Sequence, residues 1–462
     1  MGTMWRDESV TYQVAHRSSA EIVDLLRHAD AVHGLYYLLM HALFGVWEGG
    51  LITLRLPSVL ATAVTAGVVG IIALRLTARP AAGLMSGLAF AVTPQVQMYA
   101  QEGRSYALVC ALVALATWLL VTLTRDPSPR RWWCYGFTVL VASLLHEFAV
   151  FALLAHGITL YRSPSAPAGS RMRFTACAAG VGAALLPLVV LSMGQSGQVS
   201  WIGSPKAGEW FEIAGVAVLA SACAGYLYGP GRAADVSRLA LPLALLPTGA
   251  LLLMGAVHED IYVDRYVLYT SVGVALLTGT TAVRLADRAR RAAAPGGRTA
   301  RTLVAGLAVL ASAAATLPAA LQMRTPAGRK DNVTAIAREV ARQAEHGDTV
   351  LFTPSRRREW MLSYPGEFSG LADIALKDTP RASGTLQGTE WSAPDIGRRL
   401  ARAERVVVLS DPAGQPLDTG PGETVKRDIL ERDFTACRRT ELRGGRVTLY
   451  TRVFCPPHTR RP

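Results

Sequence analysis

The chain has 462 residues, of which 51% are hydrophobic and only 18% are charged, and its mean hydropathy is positive. Soluble domains usually carry about 25% charged residues, so the composition favours a polytopic membrane protein over a soluble one. The formal net charge of +13 does not indicate nucleic-acid binding, because many of the arginines lie in short loops between apolar segments, where they set membrane orientation.

The first motif, Trp5–Glu8, places the adjacent carboxylates of Asp7 and Glu8 beside an arginine and a tryptophan. The alternative is a frayed and solvated terminus whose charges have no role.

Residues 31–50 follow, with an apolar core shorter than the roughly 20 residues that a spanning helix needs. Its two tyrosines and its tryptophan predict a helix that lies in the membrane interface or re-enters it.

The next part of the chain predicts a bundle of about ten transmembrane segments. Several segments are short for a full crossing, so the number is open by two. The predicted segments lie at about 51–76, 82–98, 105–123, 132–145, 148–161, 174–193, 210–228, 239–256, 266–285 and 302–322.

The loops between these segments form two sets with different charge. Alternate loops hold most of the arginines, in clusters such as Arg130–Arg131 and Arg288–Arg291, whereas the other set holds only Arg104, Lys206 and Arg265. By the positive-inside rule the first set is cytoplasmic and both ends of the chain face outward. Because residues 1–30 are polar and contain no signal peptide, we expect a further helix upstream of Met1.

The outward set of loops is also rich in acidic residues and histidines. Such groups are often merely interfacial, but their accumulation near one membrane face predicts a functional site. The ionisable residues of this set are Glu102, Arg104, His146, Glu147, His258, Glu259, Asp260, Asp264 and Arg265.

After residue 322 the composition becomes that of a soluble α/β domain. No glycine-rich phosphate loop opens any of its helices, and Arg356–Arg358 is predicted to be solvated surface. Cys437 and Cys455 are open to pairing if the domain lies in an oxidising compartment. The predicted elements are a helix from an N-cap at Asp331 to Glu345, a strand at Thr349–Phe352, a helix at 394–403, a strand at Arg405–Leu409, a helix near 423–432 and a hairpin that turns at Gly444-Gly445.

Five short motifs follow one another along residues 4–285: Trp5–Glu8, Asp30–Tyr37, Leu54–Ser58, Gln101–Ala107 and Asp264–Tyr266. In this order they resemble landmarks of the GT-C membrane glycosyltransferases, and most of all the protein O-mannosyltransferases and the bacterial dolichyl-phosphate-mannose-type mannosyltransferases. The chain departs from the family in lacking its first helix and in reading His33-Gly34-Leu35-Tyr36 in place of the HPPLY-type stretch.

The resemblance implies an enzyme that moves a sugar from a polyprenyl-phosphate carrier to an acceptor hydroxyl on the extracytoplasmic side, with inversion. It assigns Asp7 as the base that takes the proton of the acceptor, and Glu8 as the neighbour that orients the site or binds the acceptor. Mannose is favoured through the family branch, and arabinose or another pentose stays open.

The leaving group would be a lipid phosphate, whose developing charge needs preorganised donors. Arg104 and Arg265 are the predicted phosphate ligands, with Arg6 in reserve, because a guanidinium can bind phosphate oxygens bidentately. The alternative for each is a headgroup contact or a surface ion pair. The other predicted substrate-binding residues are Asp30, His33, Tyr36, Tyr37, Glu102, Tyr106, Asp264 and Tyr266.

No cofactor is established by the sequence. Asp30 and His33 suit a divalent metal ion, but two ligands are too few to define a site. The predicted partners are a polyprenyl-phosphate sugar donor, an acceptor that is a glycan, a lipid or a protein, and membrane lipids, with no nucleic acid.

The predicted organisation is that of a multi-pass cell-membrane protein. Residues 1–50 are an extracytoplasmic segment with an interfacial helix, residues 51–322 are the transmembrane bundle, and residues 323–462 are an extracytoplasmic α/β domain.

Two other functions stay open. A lipid-linked glycan flippase would carry its charges near the bilayer midplane and often shows repeat symmetry, and a non-catalytic, membrane-anchored binding protein would not need Asp7 or Arg104.

Overall fold

The structure is a computed structural model that describes residues 3–163, 166–195, 203–229, 231–257, 261–292 and 331–455, together with 317–318, 321–323, 325 and 328. The chain divides into two compact units. The helical unit consists of residues 30–36 and 55–321, and the sheet unit of residues 1–29, 37–54 and 322–462.

Some sequence predictions fall on residues that the structure does not describe. They are the charged residues His258, Glu259 and Asp260 and most of the apolar segment at 302–322.

The N-terminal residues form three helices, α1 (Arg6–Ala15), α2 (Ser19–His28) and α3 (Gly34–Val46). Apolar side chains of α1 and α2, together with Tyr37 of α3, form a small core in the sheet unit. The backbone amide of Met4 donates to Tyr364 Oη at 3.2 Å, and Ser363 Oγ donates to the carbonyl oxygen of Ser9 at 3.1 Å. The alternative of a frayed terminus is therefore wrong, because this segment is packed and hydrogen-bonded.

The predicted apolar segments between residues 51 and 285 all form helices. Among the described residues, five helices are long and apolar enough to cross a membrane by length and composition, and shorter apolar helices lie at Ala31–Val46, Pro80–Val92 and Glu147–Tyr161. The chain is accordingly a multi-pass membrane protein. The helices are α4 (Leu51–Thr77), α5 (Pro80–Val92), α6 (Pro94–Tyr99), α7 (Tyr106–Leu123), α8 (Pro129–Leu145), α9 (Ala152–Tyr161), α10 (Ser170–Met193), α11 (Ala207–Leu227), α12 (Ala233–Val257) and α13 (Thr270–Ala292), and the five long ones are α4, α7, α10, α11 and α12.

Helix α13 packs against both α5 and α12. Two glycines allow this close approach: a Cβ atom on Gly279 would collide with the backbone of Ser86 in α5, and one on Gly273 would collide with the backbone of Ala240 and Ala244 in α12. Small residues at the contact between membrane helices let the backbones approach, so that dispersion contacts can stabilise the bundle.

The C-terminal part of the sheet unit contains two sheets. The larger has the strand order β2-β1-β5-β7-β6, in which β1 is parallel to β2 and β5, while β7 is antiparallel to β5 and β6. The smaller pairs β3 with β4. The strands are β1 (Thr349–Thr353), β2 (Ala372–Asp373), β3 (Leu376–Asp378), β4 (Thr389–Glu390), β5 (Arg405–Ser410), β6 (Thr435–Leu442) and β7 (Gly445–Thr451).

Helices cover both faces of the larger sheet. Alternate residues of β1 and β5 point to opposite faces, so Val350 and Phe352 pack with the helix Val333–Gln343 and with Trp360 on one side. On the other side Leu351 packs with the helices Ala393–Leu400 and Pro421–Asp433. The predicted strands at 349–352 and 405–409 are confirmed, and so is the hairpin, although its turn lies at Arg443-Gly444, one residue before the predicted Gly444-Gly445.

Two local predictions in this region are wrong. The N-cap of the helix Val333–Gln343 is Asn332, whose side chain accepts from the Ala335 amide at 3.2 Å, and not Asp331. The stretch Arg356–Arg358 is not solvated as a whole.

Arg358 is fully buried and forms ion pairs with Asp373 and Glu390, and Glu390 also pairs with the buried Lys426 at 2.7 Å. Arg357 is 5% exposed and pairs with Asp411. Burial of a guanidinium is tolerable only with such carboxylate partners, and these partners come from other parts of the sheet unit.

Cys437 in β6 forms a disulfide with Cys455. Cys110, Cys134, Cys177 and Cys223 are free thiols. The pairing that the sequence left open is therefore present in the structure.

Candidate active site

Arg265 lies in a short 3-10 turn, Asp264–Val267, that precedes α13, and aromatic side chains surround it. Only 5% of Arg265 is exposed, and its Nε donates to Tyr106 Oη at 3.1 Å. Its guanidinium carbon lies 5.8 Å from the ring centre of Tyr106 and 5.6 Å from that of Tyr266, within the range of cation–π contacts. These contacts hold the cation in one place before any ligand arrives.

Ser58, the last residue of the Leu54–Ser58 motif, has a structural role that explains why a serine stands there. Its fully buried Oγ lies 2.6 Å from the carbonyl oxygen of Glu102 and 3.1 Å from that of Arg104. Both of those side chains are themselves more than 90% buried. The serine of α4 therefore fixes the connection between α6 and α7 that carries two of the predicted site residues.

His146 follows α8 directly and is in contact with three of the predicted site residues. Its ring centre lies 4.5 Å from that of Tyr266, 5.6 Å from that of Tyr106 and 5.9 Å from that of His33. Its Nδ1 is buried and has no hydrogen-bond partner among the described residues. Its position in an arginine-poor loop was the one signal for this residue in the sequence, and it was not among the predicted site residues.

Arg104, Arg265 and His33 all lie within electrostatic range of the His146 ring. The helical unit thus gathers residues from four separate parts of the sequence into one group, called the arginine–aromatic cluster below. Its members are His33, Arg104, Tyr106, His146, Arg265 and Tyr266.

Asp264, next to this cluster, is held by two polar side chains of α6. Tyr99 Oη lies 2.8 and 2.7 Å from its two carboxylate oxygens, and Gln95 Nε2 donates to it at 3.0 Å. Tyr99 and Gln95 were not predicted, although α6 directly precedes the Gln101–Ala107 motif. Their hydrogen bonds fix the turn that carries Arg265.

Asp30 is the N-cap of the 3-10 turn Ala31–His33, and its side chain approaches that of His33, the last residue of the turn, to 3.9 Å. Asp30 has φ 58°, a left-handed conformation that is uncommon outside glycine, asparagine and aspartate. Within the described residues no group of three histidine, cysteine, aspartate or glutamate side chains is placed to hold a metal ion. The Tyr36 side chain, one turn further on, is fully buried.

The acidic motif lies at the start of α1, in the sheet unit. Glu8 is fully buried, and its carboxylate accepts from the backbone amide of Trp5 at 3.3 Å. An acidic side chain there satisfies an amide at the helix end and interacts favourably with the helix dipole. Asp7 is half-buried and belongs to the same first turn.

Two further acids, neither of them predicted as a site residue, lie beside this motif. Arg6 Nε donates to Glu359 at 3.2 Å, and the Arg6 amide donates to Asp331 at 3.3 Å. Burial raises the pKa of Glu359, and the Arg6 guanidinium opposes that rise. Burial likewise raises the pKa of Asp331, against the effect of Arg357. Arg6 is therefore already engaged by a carboxylate of its own unit.

The predicted site residues divide between the two units. Arg6, Asp7, Glu8 and Tyr37 belong to the sheet unit, and Tyr37 is fully buried in the small core with α1 and α2. The remaining predicted residues belong to the helical unit, where most of them lie in or next to the arginine–aromatic cluster.

Comparisons with known proteins point the same way as the motifs. Residues 32–192 match the family model described as dolichyl-phosphate-mannose-protein mannosyltransferase. Crystal structures of ArnT from Cupriavidus metallidurans, in the apo state and bound to undecaprenyl phosphate, align with a TM-score of 0.53 and 12% identity over 90% of this chain and 87% of that chain. The predicted resemblance to the GT-C glycosyltransferases is confirmed. The identity is low, so the likeness to ArnT establishes a shared fold and no more.

The matched range contains His33, Arg104, Tyr106 and His146, whereas Asp7 and Arg265 lie outside it. A third structure, the arabinofuranosyltransferase AftD from Mycobacteria, aligns with a TM-score of only 0.42 and 17% identity over 91% of this chain and 36% of that chain. No curated protein sequence matches the chain significantly.

Proposed function

We propose that this protein is a membrane glycosyltransferase that transfers a sugar, with mannose the first candidate, from a polyprenyl-phosphate donor to an acceptor hydroxyl on the extracytoplasmic side. The observation that carries the proposal is the arginine–aromatic cluster. It presents two largely buried guanidinium groups in a chain whose fold is like that of ArnT, which has been crystallised with undecaprenyl phosphate.

The proposed reaction makes and breaks one bond at the anomeric carbon. The acceptor oxygen attacks that carbon from the side opposite the phosphate, and the bond between the carbon and the phosphate oxygen breaks with its electron pair going to the phosphate. The proton of the acceptor hydroxyl passes to a carboxylate. The products are an inverted glycoside and the polyprenyl phosphate.

Arg104 and Arg265 are the proposed ligands of the departing phosphate. Each is about 95% buried, and Arg265 is held by Tyr106 and Tyr266. A guanidinium held in place by its neighbours stabilises developing charge without reorganising during the reaction, and loss of one such donor typically costs about 10²- to 10³-fold in turnover. Arg6 is less suited to this role, because Glu359 already accepts from its Nε.

Asp7 is the proposed base, and Glu8 is the proposed orienting residue. The Glu8 carboxylate accepts from the Trp5 amide, so it already has a structural partner. Asp7 lies next to it in the same helical turn and is only half-buried. Asp30, His33, Tyr36, Tyr37, Glu102 and Asp264 are the proposed further substrate-binding or positioning residues.

The proposed topology is that of a multi-pass protein of the cell membrane, with about ten membrane segments and an extracytoplasmic C-terminal α/β domain. The disulfide between Cys437 and Cys455 supports this orientation, because disulfides persist in oxidising compartments. The arginine-rich loops support it as well, since such loops remain in the cytoplasm.

The mechanism includes no metal ion. The two arginines supply the positive charge that the phosphate requires. Asp30 and His33 together offer only two metal ligands, which are too few to define a site. We expect EDTA to leave turnover unchanged; loss of turnover in EDTA with recovery in Mg²⁺ or Mn²⁺ would add a metal to the site.

The decisive experiment supplies the purified protein in lipid nanodiscs with a panel of polyprenyl-phosphate sugars, including mannose and pentoses. Release of free polyprenyl phosphate from one donor, by hydrolysis or by transfer to an added acceptor, is the expected result. Movement of intact lipid-linked sugar across the bilayer without cleavage would instead make the protein a flippase, and binding without either result would make it a non-catalytic receptor.

Asp7→Asn provides a test of the base. The substitution keeps the size and hydrogen-bonding capacity of the side chain but removes the proton acceptor, so we expect turnover to fall by about 10²- to 10⁴-fold. The matched control is Asp24→Asn in α2, whose carboxylate is about half exposed and which we expect to retain full turnover. Near-normal turnover of Asp7→Asn, with expression equal to that of the control, would remove Asp7 from the base role.

A further inference from the structure

A second group of arginines surrounds a cavity in the helical unit. These arginines belong to the arginine-rich loops, whereas Arg104 and Arg265 of the arginine–aromatic cluster belong to the other set of loops. The cavity has a volume of about 160 Å³. Water occupies about 30 Å³ per molecule in the liquid, so the space is large enough for a phosphate group. Its lining residues are Thr77, Arg79, Ala82, Arg232, Ala233, Thr280, Val283 and Arg284.

The cavity lies where three helix ends meet the side of α13. Thr77 is the last residue of α4, Arg79 is the N-cap of α5, and Ala233 is the first residue of α12. Two helix N-termini thus contribute to one space. The unpaired amides and the dipole at such ends favour a negatively charged ligand.

The three guanidinium groups are only partly neutralised. Arg79 pairs with Asp287, and Arg284 Nη1 donates to the carbonyl oxygen of Leu227 at 3.3 Å, which does not neutralise its charge. Arg232 is exposed and forms no ion pair with any described residue. The lining therefore carries more positive charge than the nearby carboxylate balances.

Thr280 is the observation that points independently to a ligand. It is 2% exposed and lines the cavity, and its Oγ1 has no hydrogen-bond partner among the described residues. Several other threonines of the helical unit bond back to the carbonyl four residues earlier, as Thr278 does with Val274 at 2.9 Å. A buried hydroxyl left unsatisfied costs about 1–3 kcal/mol, which a phosphate oxygen in the cavity would offset.

We propose that this cavity binds the phosphate of an anionic phospholipid headgroup. Arginine is well suited to phosphate through bidentate hydrogen bonds, and basic pockets between the ends of membrane helices are typical sites for anionic headgroups. The helices that form the cavity include α4 and α12, both apolar and long enough to cross a bilayer. The cavity therefore lies at the ends of membrane-crossing helices, where the phosphate of lipid headgroups is the available ligand. This inference does not depend on the proposed transferase reaction.

The test measures the thermal unfolding of the full chain in two kinds of nanodisc, one of phosphatidylcholine alone and one with a fifth of phosphatidylglycerol. Specific binding stabilises the folded state, so we expect the anionic lipid to raise the Tm of the wild type by at least about 2 °C. Arg232→Gln and Thr280→Val should each lose at least half of that shift. Arg238→Gln is the matched control, because Arg238 also lies at the start of α12 but pairs with Asp235 and does not line the cavity.

Two results would overturn the proposal. One is an equal shift in the wild type and in both lining variants, since the effect would then be general surface charge. The other is a shift of the same size when millimolar inorganic phosphate is added to phosphatidylcholine nanodiscs, since the ligand would then be soluble phosphate. Arg232 is exposed, so its substitution does not threaten folding, and the result with this variant stays interpretable if Thr280→Val unfolds.

Discussion

At the scale of single residues, the candidate site depends on side chains that hold other side chains. Tyr106 contacts Arg265 in two ways, through its hydroxyl at 3.1 Å and through its ring at 5.8 Å. The hydroxyl can be removed while the ring is kept. The two contributions to the position of the guanidinium can therefore be separated.

Tyr106→Phe is expected to lower kcat/KM for the donor by about tenfold. Hydrogen bonds that involve a charged group contribute about 1.5–3 kcal/mol, and the remaining cation–π contact should keep the loss near the lower end of that range. The measurement is steady-state kinetics with the donor identified in the panel. Tyr161→Phe is the control, because Tyr161 is half exposed and its hydroxyl bonds to Thr175 far from Arg265 in sequence; an equal loss in both variants would deny Tyr106 a specific role.

At the same scale, Arg358 shows why residue type alone misleads. Three consecutive arginines were interpreted as solvated because guanidinium groups are rarely buried without partners. Asp373 and Glu390, which pair with Arg358, lie 15 and 32 residues further along the chain. No local pattern identifies such a partner, so the burial followed only from the folded sheet unit.

At the scale of elements, the contact between α13 and α5 positions both sites of the helical unit. Helix α13 follows directly after the turn that carries Arg265, and its later turns line the arginine-rich cavity. Gly279 lies between these two regions, against Ser86 of α5. A change at this one contact should therefore be felt at both ends of α13.

Gly279→Ala is expected to lower the Tm by several degrees. The added Cβ would collide with the Ser86 backbone, and overpacking of this kind costs about 1–3 kcal/mol. The measurement is thermal unfolding in one detergent or nanodisc. The control is Gly249→Ala in α12, where a Cβ meets nothing within 4 Å and the better helix propensity of alanine should be neutral or stabilising. Equal Tm values for the two variants would show that the helices can separate without cost.

At the scale of the whole molecule, the proposal fixes which side of the membrane each loop set occupies. A tag at the C-terminus should react with membrane-impermeant reagents in intact cells, because the C-terminal domain is proposed to be extracytoplasmic. A tag inserted in the arginine-rich loop at 125–131 should be protected until the membrane is opened. The opposite pattern would reverse the topology, and with it the side on which the reaction takes place.

The sequence by itself determined the apolar helices and two central strands, but not the short helices α1 and α2 or the strands β2 to β4. Hydropathy and helix length are local properties, so the apolar helices between residues 51 and 292 and the strands at 349–353 and 405–410 agree with their predicted positions. The asymmetric distribution of arginine between the loop sets is also a property of the chain. The order of short motifs was enough to predict the GT-C resemblance.

Only the tertiary structure decided which polar groups act together. It showed that Ser58 holds the backbone of Glu102 and Arg104, that His146 lies among the rings around Arg265, and that Thr280 faces a space lined by arginines. The physical reason is that a hydrogen bond or ion pair depends on distance in space. Its partners here come from helices separated by tens to hundreds of residues, and no periodicity in the sequence records that separation.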